Sequence, residues 1–148
     1  MNRKYKQKTI PEILTSSLLF KGLSRAKLNL FVSAFYEKNL RNKTITNLHT
    51  GYEIKITRQG VNKITKGSSL YPFKAIVLIK LLELIKYAEF SNFGPPKESD
   101  PKELFCYVNF KVKCRIDKKI QHFRISCKVD KNGRIFYNHE KNKEQKAV

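Results

Sequence analysis

LFCYVNFKVKCRI (residues 104–116) and FRISCKV (residues 123–129) decide the fold of this chain. Leu104, Cys106, Val108, Phe110, Val112, Cys114 and Ile116 alternate with Asn109, Lys111, Lys113 and Arg115, which is the period of a strand with one buried and one wet face. Phe123, Ile125, Cys127 and Val129 repeat the pattern against His122, Arg124, Ser126 and Lys128. A two-residue loop at Lys118-Lys119 pairs Arg115 with His122, Lys113 with Arg124, Lys111 with Ser126 and Cys114 with Phe123. Asn132-Gly133 is a strong hairpin signal, and a two-residue loop there pairs Val129 with Phe136, Lys128 with Tyr137 and Ser126 with His139. The polar face then gathers Asn109, Lys111, Lys113, Arg115, His122, Arg124, Ser126, Lys128, Tyr137 and His139. A three-residue loop at the second turn would send Tyr137 and His139 to the other face.

Outward from this sheet, the remaining chain reads mostly as helices and loops. Residues 1–9 form a flexible basic arm, and residues 10–47 a helical N-terminal segment. Ile10 to Phe20 and Ser24 to Tyr36 both show helical spacing; in the second, Ser24 is the N-cap and Leu28, Phe31, Val32 and Phe35 form one stripe. Glu37 to Asn47 is polar and reads as a linker or exposed turn before the main module, residues 48–140. Tyr52 to Thr57 alternates as a strand, and Val61 to Lys66 reads as a short helix. Pro72 suits the first turn of a long helix reaching about Tyr87, with Val77, Leu81, Leu84, Ile85 and Ala88 on its buried side. GPPKESDP (residues 94–101) is a loop, and the charged tail 141–148 is disordered. The expected fold class is α+β: N-terminal helices and a long core helix packed on a curved C-terminal antiparallel sheet.

The 148 residues suit one compact domain, and ten Phe and seven Tyr provide for a core, which sets the chain apart from disordered ones. With 31 Lys and Arg against 12 Asp and Glu, the formal charge is +19, and a charge of that size points to a polyanionic partner. Twelve of the basic residues lie in 104–148 against four acids, so the sheet region is the densest in positive charge. Cys106, Cys114 and Cys127 are odd in number, lack CxxC spacing and sit within the alternating pattern. They read as reduced core residues in a cytosol-like compartment, and not as a zinc site or disulfide frame. The Ile10–Phe20 stretch is broken by Pro11 and Glu12, and the apolar run Ala75 to Ala88 contains Lys80, Glu83 and Lys86. Neither a signal peptide nor a membrane span is expected, and the site of action reads as cytoplasmic.

Lys and Arg on the open face of a sheet are an electrostatic footprint for phosphates, although charged residues opposite a buried face are commonly just solvated. RNA cleavage without metal needs a base for the 2′-hydroxyl proton, an acid for the 5′-oxygen and a cation for the phosphorane. His, Tyr, Lys and Arg fill these roles. Of three histidines, two fall on the polar face; the third, His49, lies in LHTG (residues 48–51) before a strand and is either a participant or a plain loop residue. Metal-dependent nuclease chemistry lacks clustered carboxylates. Glu53-Ile54-Lys55 matches the E-x-K half of a restriction-type motif, but no Asp precedes Asp100. No phosphate-binding glycine loop, G-x-S-x-G elbow or H-E-x-x-H is present.

Thr50-Gly51, then IKITRQGVNK (residues 54–63), an apolar helix ending in KYAE (residues 86–89), two long strands and KNGRIFYNHE (residues 131–140) follow one another in a recognisable order. The order resembles small domains of phage and mobile-element polyvalent proteins, placed with the barnase, EndoU, colicin and RelE-like (BECR) nucleases. The resemblance covers residues 48–140 and leaves the N-terminal helices outside. It implies a helix followed by a curved sheet whose open face binds and cleaves RNA, commonly without metal or other cofactor. Arg58, Gly60 and Lys63 match its opening motif, and Tyr137 and His139 its closing one. Arg58 and Lys63 are either phosphate ligands or structural surface charges.

The reading is therefore a metal-independent ribonuclease of toxin or effector type. His139 with His122 or His49 would supply acid–base chemistry, Arg124 and Lys63 would stabilise charge, and Tyr137 would stack or donate a proton. Arg58, Lys63, Lys111, Lys113, Arg115, Ser126 and Lys128 would hold the RNA, with tRNA one candidate and an acidic immunity or antitoxin protein a further partner. The alternative is a non-catalytic basic module of a mobile element that binds nucleic acid or docks a protein.

Overall fold

The computed structural model describes residues 10–13, 22–58 and 78–138, apart from the side chains of Ile13 and Arg25. The expected arm 1–9, helix 61–66 and tail 141–148 lie outside the described residues, as do His139 and Lys63.

The fold is α+β, and one open sheet of seven strands organises it. In chain order the elements are β1 (Glu12–Ile13), α1 (Arg25–Phe35), a π-helical turn (Tyr36–Leu40), β2 (Thr44–Thr46), β3 (Glu53–Lys55), α2 (Leu81–Tyr87), β4 (Glu89–Gly94), β5 (Leu104–Ile116), β6 (Lys119–Asp130) and β7 (Ile135–Tyr137). The sheet runs β1-β5-β6-β7-β3-β2. β4 and β1 share the edge of β5 away from β6. Most pairings are antiparallel; β1 with β5 and β3 with β7 are parallel.

Alternation places the even residues of β5 and the odd residues of β6 on one face, where Val108, Phe110, Val112, Cys114, Phe123, Ile125 and Cys127 are buried. Ile54 of β3 joins them. α1 starts as its sequence indicates, with the Lys27 backbone N–H donating to Ser24 Oγ at 3.2 Å. Its buried stripe continues past the helix end: Leu28, Val32, Tyr36 and Leu40 are all buried, four residues apart. Phe31, expected in that stripe, is exposed.

Four expectations change. Glu12–Ile13 is not helical: it pairs with Arg115 and Ile116, and the Arg115 N–H donates to the Pro11 carbonyl at 2.9 Å. Pro11 has no N–H to start a helix bond but keeps its acceptor, which suits an edge strand. Glu37 to Asn47 is not a linker. The Arg41 N–H reaches the Tyr36 carbonyl at 2.8 Å, closing the π turn that seats Leu40 in the core, and β2 follows. The long helix to Tyr87 is not seen. α2 has seven residues and begins after Lys80, whose φ of −111° and ψ of 13° leave the helical region. Residues 71–77 lie outside the described residues; Leu81, Leu84, Ile85 and Ala88 are buried as their spacing requires.

The fourth change concerns both hairpins. The first turn is Asp117-Lys118, with φ of 50° and 69°, so Lys113 pairs with His122 and Lys111 with Arg124. Asp tolerates the left-handed region better than Lys, which places the turn one residue earlier than expected. This slip moves partners by two residues and leaves every side chain on its expected face. The second turn has three residues, 131–133. Asp130 Oδ1 accepts from the backbone N–H groups of Asn132 and Arg134, and Gly133 takes φ of 83°. Cys127 therefore pairs with Tyr137 and Val129 with Ile135, a one-residue slip that turns Tyr137 into the core. The Asp130 carboxylate, though burial opposes its ionisation, is held below the usual range by the hydrogen bonds from Arg134 and Asn132.

Lys118 is the weakest residue of the first turn, because its Cβ is crowded in the left-handed region. Lys118→Gly is expected to raise stability by about 1 kcal/mol. Urea unfolding that shows no gain would mean the turn is not of this type in solution.

The buried thiols couple folding to pH. Burial pushes Cys114 up to about 12 and Cys127 higher still, against an ordinary thiol at 9.0. Above pH 9 the unfolded chain loses protons that the folded chain keeps, so stability is complete below that pH and declines as pH rises. Each thiol contributes up to about 1.4 kcal/mol per pH unit of decline. Thermal unfolding between pH 8 and 11 checks this; a flat Tm across that range would contradict the burial of both thiols.

Candidate nucleic-acid interface

The face of the sheet opposite the core is built in cross-strand rows. Glu89, Lys111 and Arg124 form one row across β4, β5 and β6; Lys113 and His122 form the next toward the first turn, followed by Glu12, Arg115 and Ile120. Directly opposed residues hold their Cβ atoms about 5 Å apart, and like charges in such pairs repel. Lys111, Lys113, His122 and Arg124 are exposed and Arg115 is half-buried. Their mutual repulsion is relieved by any anion that settles among them, and two carboxylates already stand in register, Glu89 opposite Lys111 and Glu12 opposite Arg115. A cleft of ≈ 420 Å³ opens here, lined by Ser91, Asn92, Lys111, His122 and Arg124 together with Phe110 and Phe123. Ser91 is the extra residue of a β-bulge in β4, which shifts the register between Phe90 and Asn92.

In the opposite direction the face dries out. Asn92, Asn109 and Ser126 form the following row, and the Asn138 N–H donates to the Ser126 carbonyl at 2.9 Å. Asn109 is 4% exposed and Ser126 3%. Beyond them Tyr107 pairs with the half-buried Lys128. The 94–101 loop packs against this end. The Lys97 N–H and the Tyr107 hydroxyl both donate to Asp100 Oδ2 at 2.7 Å, and Lys97 Nζ lies 5.7 Å from the Tyr107 ring centre. Those two hydrogen bonds hold the Asp100 carboxyl below its usual range.

The sheet thus brings together Lys111, Lys113, Arg115, His122, Arg124, Ser126 and Lys128 on one face, with Ser126 buried within it. Of the other expected site residues that are described, Tyr137, His49 and Arg58 lie away from these rows. Tyr137 is 2% exposed on the core side, where burial raises its hydroxyl pKa well above the ordinary value. His49 is half-buried, and its Nδ1 accepts the Phe90 N–H at 2.8 Å, which ties the LHTG loop to the start of β4. Arg58 bonds Glu37 Oε2 at 2.9 Å and lies over the Tyr36 ring at 4.9 Å. Both of these contacts are with the π turn, and not with the basic rows.

Sequence reasoning missed Asn92 and Glu89 because FSNF (residues 90–93) does not alternate: the bulge at Ser91 breaks the period. The only available signal was Phe90 and Phe93 before Gly94. Among the described residues no group of three or more His, Cys, Asp and Glu side chains is placed to hold a metal ion. Nor is any helix among them long and apolar enough to cross a membrane.

These features define a small α+β domain with an open sheet, one face apolar and packed, the other cationic beside a buried polar row. The family model for large polyvalent protein-associated domain 3 matches residues 25–137, and the chain belongs to that family. The match begins at α1 and so takes in a helix that the sequence motifs left outside. Such a domain is consistent with a phage or mobile-element protein. No curated protein and no solved structure matches the chain.

Proposed function

We propose that the outer face of the sheet binds RNA through its phosphates. The observation that carries this is the juxtaposition of Lys111 with Arg124 and of Lys113 with His122 in adjacent rows bordering one cleft. Four cations engaging a single strand, counting Arg115, give a log–log dependence of affinity on salt with a slope of about −3. Fluorescence anisotropy of the full chain with a single-stranded oligoribonucleotide from 50 to 300 mM salt checks it. Binding that ignores salt, or no binding at all, would remove the proposal. An acidic inhibitor protein is the natural competitor for the same cations.

A second reading, metal-independent ribonuclease of the BECR group, is favoured by His122 lying in that cleft beside two cations. The imidazole would move the proton while Lys111 and Arg124 stabilise the phosphorane. His139 and Lys63, assigned roles from the sequence, lie outside the described residues. Total RNA incubated with and without chelator, with fragment ends mapped, separates the readings. Cleavage that survives chelator and vanishes in His122→Ala supports catalysis, whereas intact RNA leaves the face as a binding surface.

A further inference from the structure

The cations of the outer face form a column as well as rows. Lys111, Lys113 and Arg115 follow one another along β5, opposed on β6 by Arg124, His122 and Ile120 in turn. Same-face residues on a strand stand about 7 Å apart, so the column has evenly spaced positions, close to the repeat of phosphates along an extended single strand. The two carboxylates in register, Glu89 and Glu12, belong to β4 and β1 and so lie on one edge of β5. They repel a polyanion from that edge and confine it to the line between β5 and β6.

The two ends of the column differ. Toward the first turn it runs out into exposed residues, Lys118, Lys119 and Ile120. In the other direction it stops at Lys111 and Arg124. The next row, Asn109 and Ser126, is buried, and beyond it Tyr107 is buried too, its hydroxyl tied to Asp100 of the 94–101 loop. Lys128, opposite Tyr107, is half-buried and its charge is set against Asp100. A strand lying along the column meets covered surface there, and the cleft is where it ends.

Donors furnish that cleft. Lys111, His122 and Arg124 line it from the sheet, Ser91 and Asn92 from the bulge of β4, and no carboxylate among the described residues joins them. Asn109 Nδ2 donates to Asn92 Oδ1 at 3.2 Å, which engages that oxygen and leaves the Asn92 amide protons for whatever enters. Ser91 is exposed. A phosphodiester within a chain needs a second path out of the cleft. A terminal phosphate monoester needs only one, and it brings nearly two negative charges and three acceptor oxygens to the same donors.

We infer that the cleft is a terminal-phosphate subsite. It takes the phosphomonoester at one end of an RNA strand between Lys111 and Arg124 on the sheet and Ser91 and Asn92 on the bulge, while Lys113 and Arg115 follow the chain out toward the first turn. The inference rests on the proposed RNA binding and names the part of the strand that the cleft holds.

The test uses the full chain and one single-stranded oligoribonucleotide in three forms: hydroxyls at both ends, a 5′-phosphate, or a 3′-phosphate. Anisotropy at fixed salt reads the affinities. One phosphorylated form is expected to bind about tenfold tighter than the hydroxyl form, and the other much as the hydroxyl form does, because the cleft fits the chain in one direction. Ser91→Ala and Asn92→Ala should each lower that ratio. Equal gains from both phosphates, or no gain from either, would overturn the terminal assignment while the hydroxyl form still binds. Variants that keep the wild-type ratio would overturn it as well. A wild type that binds none of the three forms would remove the parent proposal and this one with it.

Discussion

Asn47→Ala lowers folding stability by about 3 kcal/mol or more, because four hydrogen bonds converge on one fully buried side chain. Asn47 Nδ2 donates to the Ile85 and Ala88 carbonyls, both at 2.8 Å, and so satisfies acceptors at the C-terminus of α2. Its Oδ1 accepts from the Thr50 N–H at 2.9 Å and the Thr50 hydroxyl at 2.8 Å, which closes the turn between β2 and β3. Alanine removes all four of these bonds in or near the core. Asn47→Asp keeps the Thr50 contacts but sets a carboxylate against two carbonyls, and is expected to be at least as damaging. Urea denaturation measures both. A loss under about 1 kcal/mol for either would mean that water or backbone movement replaces the side chain.

If the outer face binds RNA as proposed, Arg124→Glu is expected to weaken binding to an oligoribonucleotide by about 100-fold at low salt without unfolding the protein. The substitution changes the local charge by two units at the centre of the basic rows. The new carboxylate faces Lys111 directly across the ladder, so a like-charge pair becomes an opposite-charge pair worth roughly 0.2–1 kcal/mol to the sheet. Affinity and stability therefore move in opposite directions, which no general loss of structure imitates. Tm and anisotropy on the same preparation read the two effects, and unchanged affinity would place the RNA elsewhere.

The two hairpins show what was legible in the sequence and what was not. Seven alternating apolar positions in β5 left one choice of buried face, and the first hairpin kept that face because its register moved by an even number of residues. The second hairpin turned on local chemistry that alternation does not encode. Asn132-Gly133 alone indicates a two-residue turn, yet the Asp130 carboxylate, taking two backbone N–H groups, draws the turn open by one residue. That single step removed Tyr137 from the outer face. The burial of Asn109 and Ser126 was hidden for a different reason. Their positions are polar in sequence, and only the tertiary placement of β4, a strand interrupted by its bulge, brings Asn92 beside them. Leu40 in a polar stretch and Pro11 before a two-residue strand were likewise settled by long-range packing.

β7 has three residues and joins two parts of the sheet: β6 lies on one side of it and β3 on the other. Ile54 of β3 pairs with Ile135, more than half the chain length away. On a growing polypeptide the β2–β3 hairpin therefore has no strand to dock against until the last described strand has been made. The β5–β6 hairpin, whose contacts are local, can close first on the microsecond scale typical of hairpins, whereas the parallel β3–β7 step must meet the entropy of a very long loop. Completion of the sheet therefore waits for β7, and until then the unpaired edge of β3 is the surface on which the growing chain is most open to mispairing or to a chaperone.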